Sequence, residues 1–408
     1  MKLSFLILLF TIQINSQWTQ TNLGNAQYGY NIYLADNEIF AATLNGVYST
    51  TDLGNPWFSL GLSNRLVFDV IKSNQYILAA TEATGPGVYR SSDHGNSWIE
   101  TNGMANQSVR AFTKNSSYTF ACTWGGGVFR SNDDGANWQS LGLTNDGFRS
   151  IYTVGEKVFV GGSKIYFSTN NGDTWDSRQL PYPAGDTWCF YYDNGILYAG
   201  DMGLYVSNDL GNTWTLKYGV TFDGQGNATD SKIFRDIVSY NNTLIASVAF
   251  NSILISYDGG NNWSSFNDGL IADWTFAGLV IKDPNIWALT TGFGNAYMRP
   301  LSNVTTIEES KGKLPTNFSL EQNYPNPFNP TTIIRYALPS ESKVTIKIYN
   351  LLGQEIKELV NNTESAGYHE VNFNASNLAS GIYFYRIVAA SVDGKNNFVD
   401  TKKFILLK

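Results

Sequence analysis

The chain has 408 residues, of which 14% are aromatic, 38 are glycine and only 15% are charged. That is the composition of a β-rich globular protein with a large core, and it excludes extensive disorder. A net charge of −7 disfavours nucleic acid, and two histidines with two cysteines leave no cluster able to hold a transition metal, so neither metal nor cofactor is expected.

The opening MKLSFLILLFTIQINSQ carries one lysine, an apolar run from Leu3 to Ile12, and small or polar residues before Trp18. It is too short to span a bilayer and reads as a signal peptide over 1–16; no other run approaches membrane length. WTQTN at 18–22 stands next, alone, and matches WIETN at 98–102.

From there a stretch of the form aromatic-x-Ser-x-Asp-x-Gly-x-x-Trp returns six times, as in YSTTDLGNPW (48–57), YRSSDHGNSW (89–98) and FRSNDDGANW (129–138). Its tryptophans, Trp57, Trp98, Trp138, Trp175, Trp214 and Trp263, are 41, 40, 37, 39 and 49 residues apart, the spacing of a four-stranded propeller blade. Asp52, Asp93, Asp133, Asp209 and Asp258 read as turn formers, their oxygens accepting from backbone N–H groups while the glycine supplies a positive φ. Asn170 replaces the aspartate in the fourth copy, which argues for a structural task rather than a catalytic one. Two alternating strands precede each motif and a short strand follows its Trp, giving triplets at about 28–57, 65–98, 108–138, 147–175, 186–214, 232–263 and 273–300. The seventh triplet lacks a motif and a final strand, so WTQTN is expected to close that blade beside Ala296–Pro300.

These copies resemble the Asp-box, or BNR, repeats of sialidases, sortilin-type receptors, some xyloglucanases and photosystem II assembly-factor propellers. The expectation over 17–300 is an all-β, seven-bladed β-propeller with N-terminal strand closure. Cys122 and Cys189 fall on non-neighbouring units and are expected to be buried free thiols.

Propellers bind ligands at one end of the channel, where the first strands begin. Aligned starts bring together Asn31, Phe68, Arg110, Arg149, Trp188, Arg235 and Ala277. Arg110, Arg149 and Arg235 suit a carboxylate or phosphate, and Phe68 and Trp188 suit a planar apolar face. The alternative is that the arginines bond loop carbonyls and close the ring. Glu82, Trp124, Asp146, Asp186, Asp201, Asp223, Asp230 and Asp273 lie in nearby loops. Two carboxylates at a suitable separation would hydrolyse a glycoside, xyloglucanase-like, but no acid/base pair is identifiable. A sialidase reading lacks the Arg-Ile-Pro motif, a Tyr-Glu pair and the six-blade count. The reading is therefore an exported, non-catalytic module that binds a glycan, peptide or protein, with a glycoside hydrolase as the alternative.

After a polar linker at 301–313 the pattern changes. FSLEQNYPNPFNPTT (318–332), KVTIKIYNLLGQEI (343–356), SGIYFYRI (380–387) and KKFILLK (402–408) resemble the C-terminal sorting domain of type IX secretion substrates. Alternation in TIIRYAL, VTIKIYN, HEVNFN, IYFYRIV and FVDTKKFILL predicts a small antiparallel β-sandwich over 314–408. The resemblance implies recognition by the outer-membrane translocon and a secreted or cell-surface location, reached through the periplasm.

Overall fold

The computed structural model describes residues 17–407 except 25, 52–55, 182–184, 223–227, 251, 271–274, 293–294, 302–303, 305–316, 321, 324–325, 327 and 395. The expected signal peptide, nearly all of the linker, and Asp52, Asp223 and Asp273 lie outside the described residues. The chain divides into two compact units, Met1–Val304 and Thr305–Lys408.

Among the described residues, the first unit contains seven four-stranded antiparallel sheets. Six meander within one stretch of chain, as in Gly29–Ala35, Glu38–Thr43, Gly46–Thr50 and Phe58–Ser59. The remaining one takes Phe276–Lys282, Asn285–Thr290 and Asn295–Pro300 and adds Thr19–Asn22, paired antiparallel through Thr19 opposite Met298 and Asn22 opposite Asn295. The first strands, Gly29–Ala35, Val67–Ser73, Val109–Lys114, Ser150–Val154, Cys189–Asp193, Phe234–Tyr240 and Phe276–Lys282, neighbour one another in order, and the last neighbours the first. Second strands are buried between their neighbours. Several carry Ala where sheets approach, Ala41, Ala42, Ala79, Ala80 and Ala121 all being inaccessible to solvent. Apolar clusters span successive sheets, one running from Ile71 and Leu78 to Phe112 and Trp138.

Five of the six recurring motifs, those whose turn residues are described, are tight polar knots. Ser91 Oγ donates to Asp93 Oδ1 at 2.8 Å and accepts from Gly95 N at 2.8 Å, while Ser97 N donates to Asp93 Oδ1 at 2.9 Å. The same pattern recurs at Ser131/Asp133, Ser168/Asn170, Ser207/Asp209 and Ser256/Asp258. Hydrogen bonds from Thr213 and Ser207 hold the Asp209 carboxyl down to about 2. Several of the following tryptophans reach the sheet before their own. Trp98 Nε1 donates to Leu60 O at 2.7 Å, Trp175 Nε1 to Leu141 O at 3.1 Å, and Trp57 Nε1 to Thr21 Oγ1 at 3.2 Å. Cys122 and Cys189 are buried free thiols.

In the second unit, Ser319–Leu320, Thr331–Leu338 and Gly367–Asn374 form one sheet. Glu355–Glu364, Ser342–Tyr349, Gly381–Ser391 and Asn397–Leu406 form another. Ile334, Tyr336 and Phe373 from the first share a core with Val344, Ile346, Tyr385 and Phe404 from the second. Besides the two-residue Ser319–Leu320, the alternation pattern overlooks Glu355–Glu364, because it is an edge strand whose residues are mostly exposed.

Candidate functional site

A cavity of about 690 Å³ lies where the first strands begin. Its wall includes Tyr30, Phe68, Arg110, Arg149, Trp188 and Arg235, together with Asn31 and Ala277. Backbone irregularity places them there. Pairing skips one residue at the start of five first strands, and the skipped residues are Tyr30, Phe68, Arg110, Arg235 and Ala277. Arg149 and Trp188 stand immediately before their strands, donating N–H to Gly161 O at 3.0 Å and Gly200 O at 2.8 Å. The sequence alignment is thus one residue out in the first unit. Tyr30, not Asn31, is the counterpart of Phe68, because an extra residue in the bulge is invisible to alternation.

Aromatic rings and guanidinium groups alternate here, with Trp124, which lies outside the cavity lining, between Arg110 and Arg149. Arg110 Cζ lies 3.9 Å from the Phe68 ring centroid and 5.7 Å from that of Trp124. Arg149 Cζ lies 4.5 Å from Trp124 and 4.1 Å from Trp188, and Arg235 Cζ lies 3.7 Å from Trp188. Tyr30 meets Phe68 edge-on, with centroids 5.3 Å apart. These are attractive contacts, strongest where water is thin.

Only one of the three arginines has an anionic partner among the described residues. Arg149 Nε donates to Asp186 Oδ2 at 2.6 Å. Arg110 Nε and Arg235 Nε are shielded from solvent and have no hydrogen-bond partner. Burial, and then the neighbouring Arg149 charge, lower the pKa of both Arg110 and Arg235. Among the described residues neither side chain contacts a loop carbonyl.

The carboxyl groups on the cavity wall are committed elsewhere. Asp69 Oδ1 accepts from Val70 N at 2.8 Å and Asn31 Nδ2 at 2.6 Å, and its Oδ2 accepts from Phe112 N at 2.6 Å on the next sheet. Asp236 repeats the arrangement, accepting from Ile237 N at 2.8 Å and from Leu279 N of the next sheet at 2.7 Å. Burial pushes both up to about 7 against the pull of these donors. The sequence reading missed this staple. Its trace was an Asp directly after the channel residue in two units, Phe68-Asp69 and Arg235-Asp236.

The other loop candidates scatter. Trp124 is half exposed between Arg110 and Arg149, and Asp186 holds Arg149. Asp146 accepts from Gly147 N and Ser163 Oγ. Asp201 is fully buried, accepts from Gly185 N at 3.0 Å and from Met202 N, and is raised to about 6 by burial. Glu82 does not line the cavity. Asp230 lies on the hairpin Val220–Phe222/Ala228–Ser231, formed by the one extended insertion. No group of acidic, histidine or cysteine side chains suited to a metal ion occurs among the described residues.

Comparisons with known proteins bear on each unit. Residues 322–406 match the secretion system C-terminal sorting domain. The chain is accordingly exported by type IX secretion to the cell surface or outside, and its C-terminal unit interacts with that secretion system. No helix among the described residues is long and apolar enough to cross a membrane. No curated protein matches the chain. Among solved structures, YCF48 bound to D1 peptide is similar at 16% identity and a TM-score of 0.54, over 70% of this chain and 97% of that one. YCF48 from Cyanidioschyzon merolae is similar at 15% identity and 0.55, over 70% and 99%. The extracellular domain of the putative hybrid two component system BT3049 from B. thetaiotaomicron is similar at 12% and 0.58, over 96% of this chain and 58% of that one. At these identities the likeness is one of fold, and the fold is all-β and propeller-like.

Proposed function

We propose that the chain is an exported, seven-bladed Asp-box β-propeller, closed by its N-terminal strand, that serves outside the cell as a non-catalytic binding module. In this reading residues 1–16 are a signal peptide, 17–300 the propeller, 301–313 a linker and 314–408 a sorting domain folded as a small β-sandwich. The ligand, a glycan, peptide or protein, sits at the cavity mouth against Arg110, Arg149 and Arg235, with Phe68 and Trp188 beside them.

The observation that carries this reading is the convergence of Arg110, Arg149 and Arg235 on one cavity wall, where only Arg149 meets a carboxylate among the described residues. Buried donors without acceptors cost stability, and although Arg90 and Arg299 carry the same unpartnered Nε elsewhere, Arg110 and Arg235 do so beside a cavity that a ligand can enter. Binding is favoured over hydrolysis because Asp69 and Asp236, the acids of the cavity wall, are engaged by backbone donors. That a propeller of similar fold holds a peptide agrees with a peptide or protein ligand.

The test screens the full-length mature protein on glycan and peptide arrays, with a parallel assay for hydrolysis of polysaccharides. Changing Arg110 or Arg235 to Ala is expected to weaken a hit by about 1–3 kcal/mol without lowering the melting temperature. Lowered melting temperatures in both variants with unchanged binding would mark the arginines as structural, and polysaccharide cleavage would restore the hydrolase alternative.

A further inference from the structure

We propose that the ligand is an acidic peptide segment presenting two carboxylates, one set edge-on against Arg110 and one against Arg235, on either flank of the Arg149–Asp186 pair. This rests on the reading that the cavity mouth is a binding site, and it assigns the chemistry of what binds there.

The aromatic rings at the mouth are already engaged. Trp188 is covered by Arg149 at 4.1 Å and by Arg235 at 3.7 Å, and Phe68 by Arg110 at 3.9 Å with Tyr30 against it. Trp124 lies between Arg110 and Arg149. A sugar ring that stacks needs an open aromatic face, and Phe68 and Trp188, the two rings on the cavity wall beside the arginines, already carry guanidinium groups, Trp124 alone being exposed. Phe68 and Trp188 therefore act as buttresses for the arginines rather than as platforms for the ligand. This changes the part that the sequence suggested for them.

A guanidinium whose face lies on a ring keeps its N–H groups at the edge, in its own plane. That edge matches the two oxygens of a carboxylate. Arg149 already spends its Nε on Asp186, whereas Arg110 and Arg235 meet no acceptor among the described residues, and with their Nε atoms shielded from solvent a ligand would reach them through their terminal nitrogens. The mouth thus offers two unfilled positions separated by one filled pair. Like-charge repulsion from Arg149 acts on both open guanidiniums, and two carboxylates would relieve it. A cavity of about 690 Å³ admits a short segment of chain, and a peptide delivers carboxylates on flexible stems without needing an aromatic platform.

Calorimetric titration of the full-length mature protein at low salt tests this. The probes are a short glycine-serine peptide bearing two glutamates, offered at graded separations, the same peptide with glutamines, oligogalacturonate, and inorganic phosphate. The two-glutamate peptide is expected to bind with an optimum separation, and the glutamine version to bind more than tenfold more weakly. Arg110→Gln and Arg235→Gln should each weaken the glutamate peptide about tenfold. Arg90→Gln, which removes an arginine stacked on Tyr76 away from the cavity, should leave it unchanged. Tighter binding of oligogalacturonate, or phosphate binding as tightly as the peptide, with both losses in the arginine variants, would overturn the peptide while keeping the mouth as the site. Equal binding of glutamate and glutamine peptides would overturn the carboxylate chemistry. Failure of every probe, or binding untouched by either variant, would overturn the proposal, and an array hit unaffected by the same variants would also remove the mouth as the site.

Discussion

At Asp69 a single side chain joins three sheets. Its carboxyl accepts from Asn31 on the sheet before, from Val70 on its own and from Phe112 on the sheet after. Burial nevertheless raises it to about 7, and Asp236 and Asp201 are raised to about 7 and about 6 by the same cause. An acid whose folded pKa exceeds its unfolded value of 3.8 binds more protons folded than unfolded between the two. Its stabilising contribution is full below about pH 4 and falls as pH rises towards 7. The motif aspartates oppose this at the acid end, since Asp209 at about 2 loses its contribution as pH falls from 4 to 2. Thermal melts across pH should therefore show a maximum near pH 4 to 5, and Asp69→Asn should flatten the decline between 4 and 7. A decline of unchanged slope in that variant would refute the assignment. A second residue-scale expectation concerns the motif itself. Ser131→Ala removes the donor to Asp133 and the acceptor for Gly135 N in a buried position, and should cost about 1–3 kcal/mol in chemical unfolding. Gly135 has φ +78, and an added Cβ would stand 2.6 Å from Leu78 Cδ1 on the previous sheet, so Gly135→Ala should cost more than Ser131→Ala.

Among elements, Thr19–Asn22 does the most for its length. It supplies the fourth strand of a sheet whose other strands come from Phe276–Pro300. Trp18, just before it, is 3% exposed and donates Nε1–H to Phe266 O at 2.6 Å, while Trp18 N donates to Asp268 O. Removing Gln17 to Leu23 bares the edge of Asn295–Pro300 and the pocket of Trp18. The expected loss is several kcal/mol, with increased aggregation, against little change for an equal deletion in a surface loop. Unchanged unfolding and solubility would contradict it. The match between WTQTN and WIETN makes this pairing legible in the sequence, because the same local pattern serves the same edge in another unit. Elements governed by local pattern were legible throughout the repeats. What escaped was set by tertiary context. The bulge that puts Tyr30 rather than Asn31 beside Phe68 has no composition signal, and Glu355–Glu364 lies on an edge where burial does not impose alternation. The channel arginines were legible as a set, but their stacking on Trp124 and Trp188 was not, since it depends on side chains from four different sheets.

For the whole molecule, the two units keep separate cores. The apolar clusters of the first end at Val304, and the cluster of the second begins at Leu320. Among the described residues the clusters of each unit are built from that unit's own side chains, so each unit holds the apolar burial that its own folding requires. The sorting domain at 322–406 then acts as an address whose removal need not disturb the binding unit. Deleting 314–408 is expected to leave a soluble first unit that unfolds cooperatively near the full-length value and retains any ligand found at the mouth. In the cell that truncated chain should accumulate in the periplasm instead of reaching the surface. Fractionation measures the location, and thermal unfolding with ligand titration on the purified fragment measures the fold. Surface delivery of the truncated chain would contradict the address. A fragment that reaches the periplasm but melts far lower would show that the first unit depends on the second, despite their separate cores.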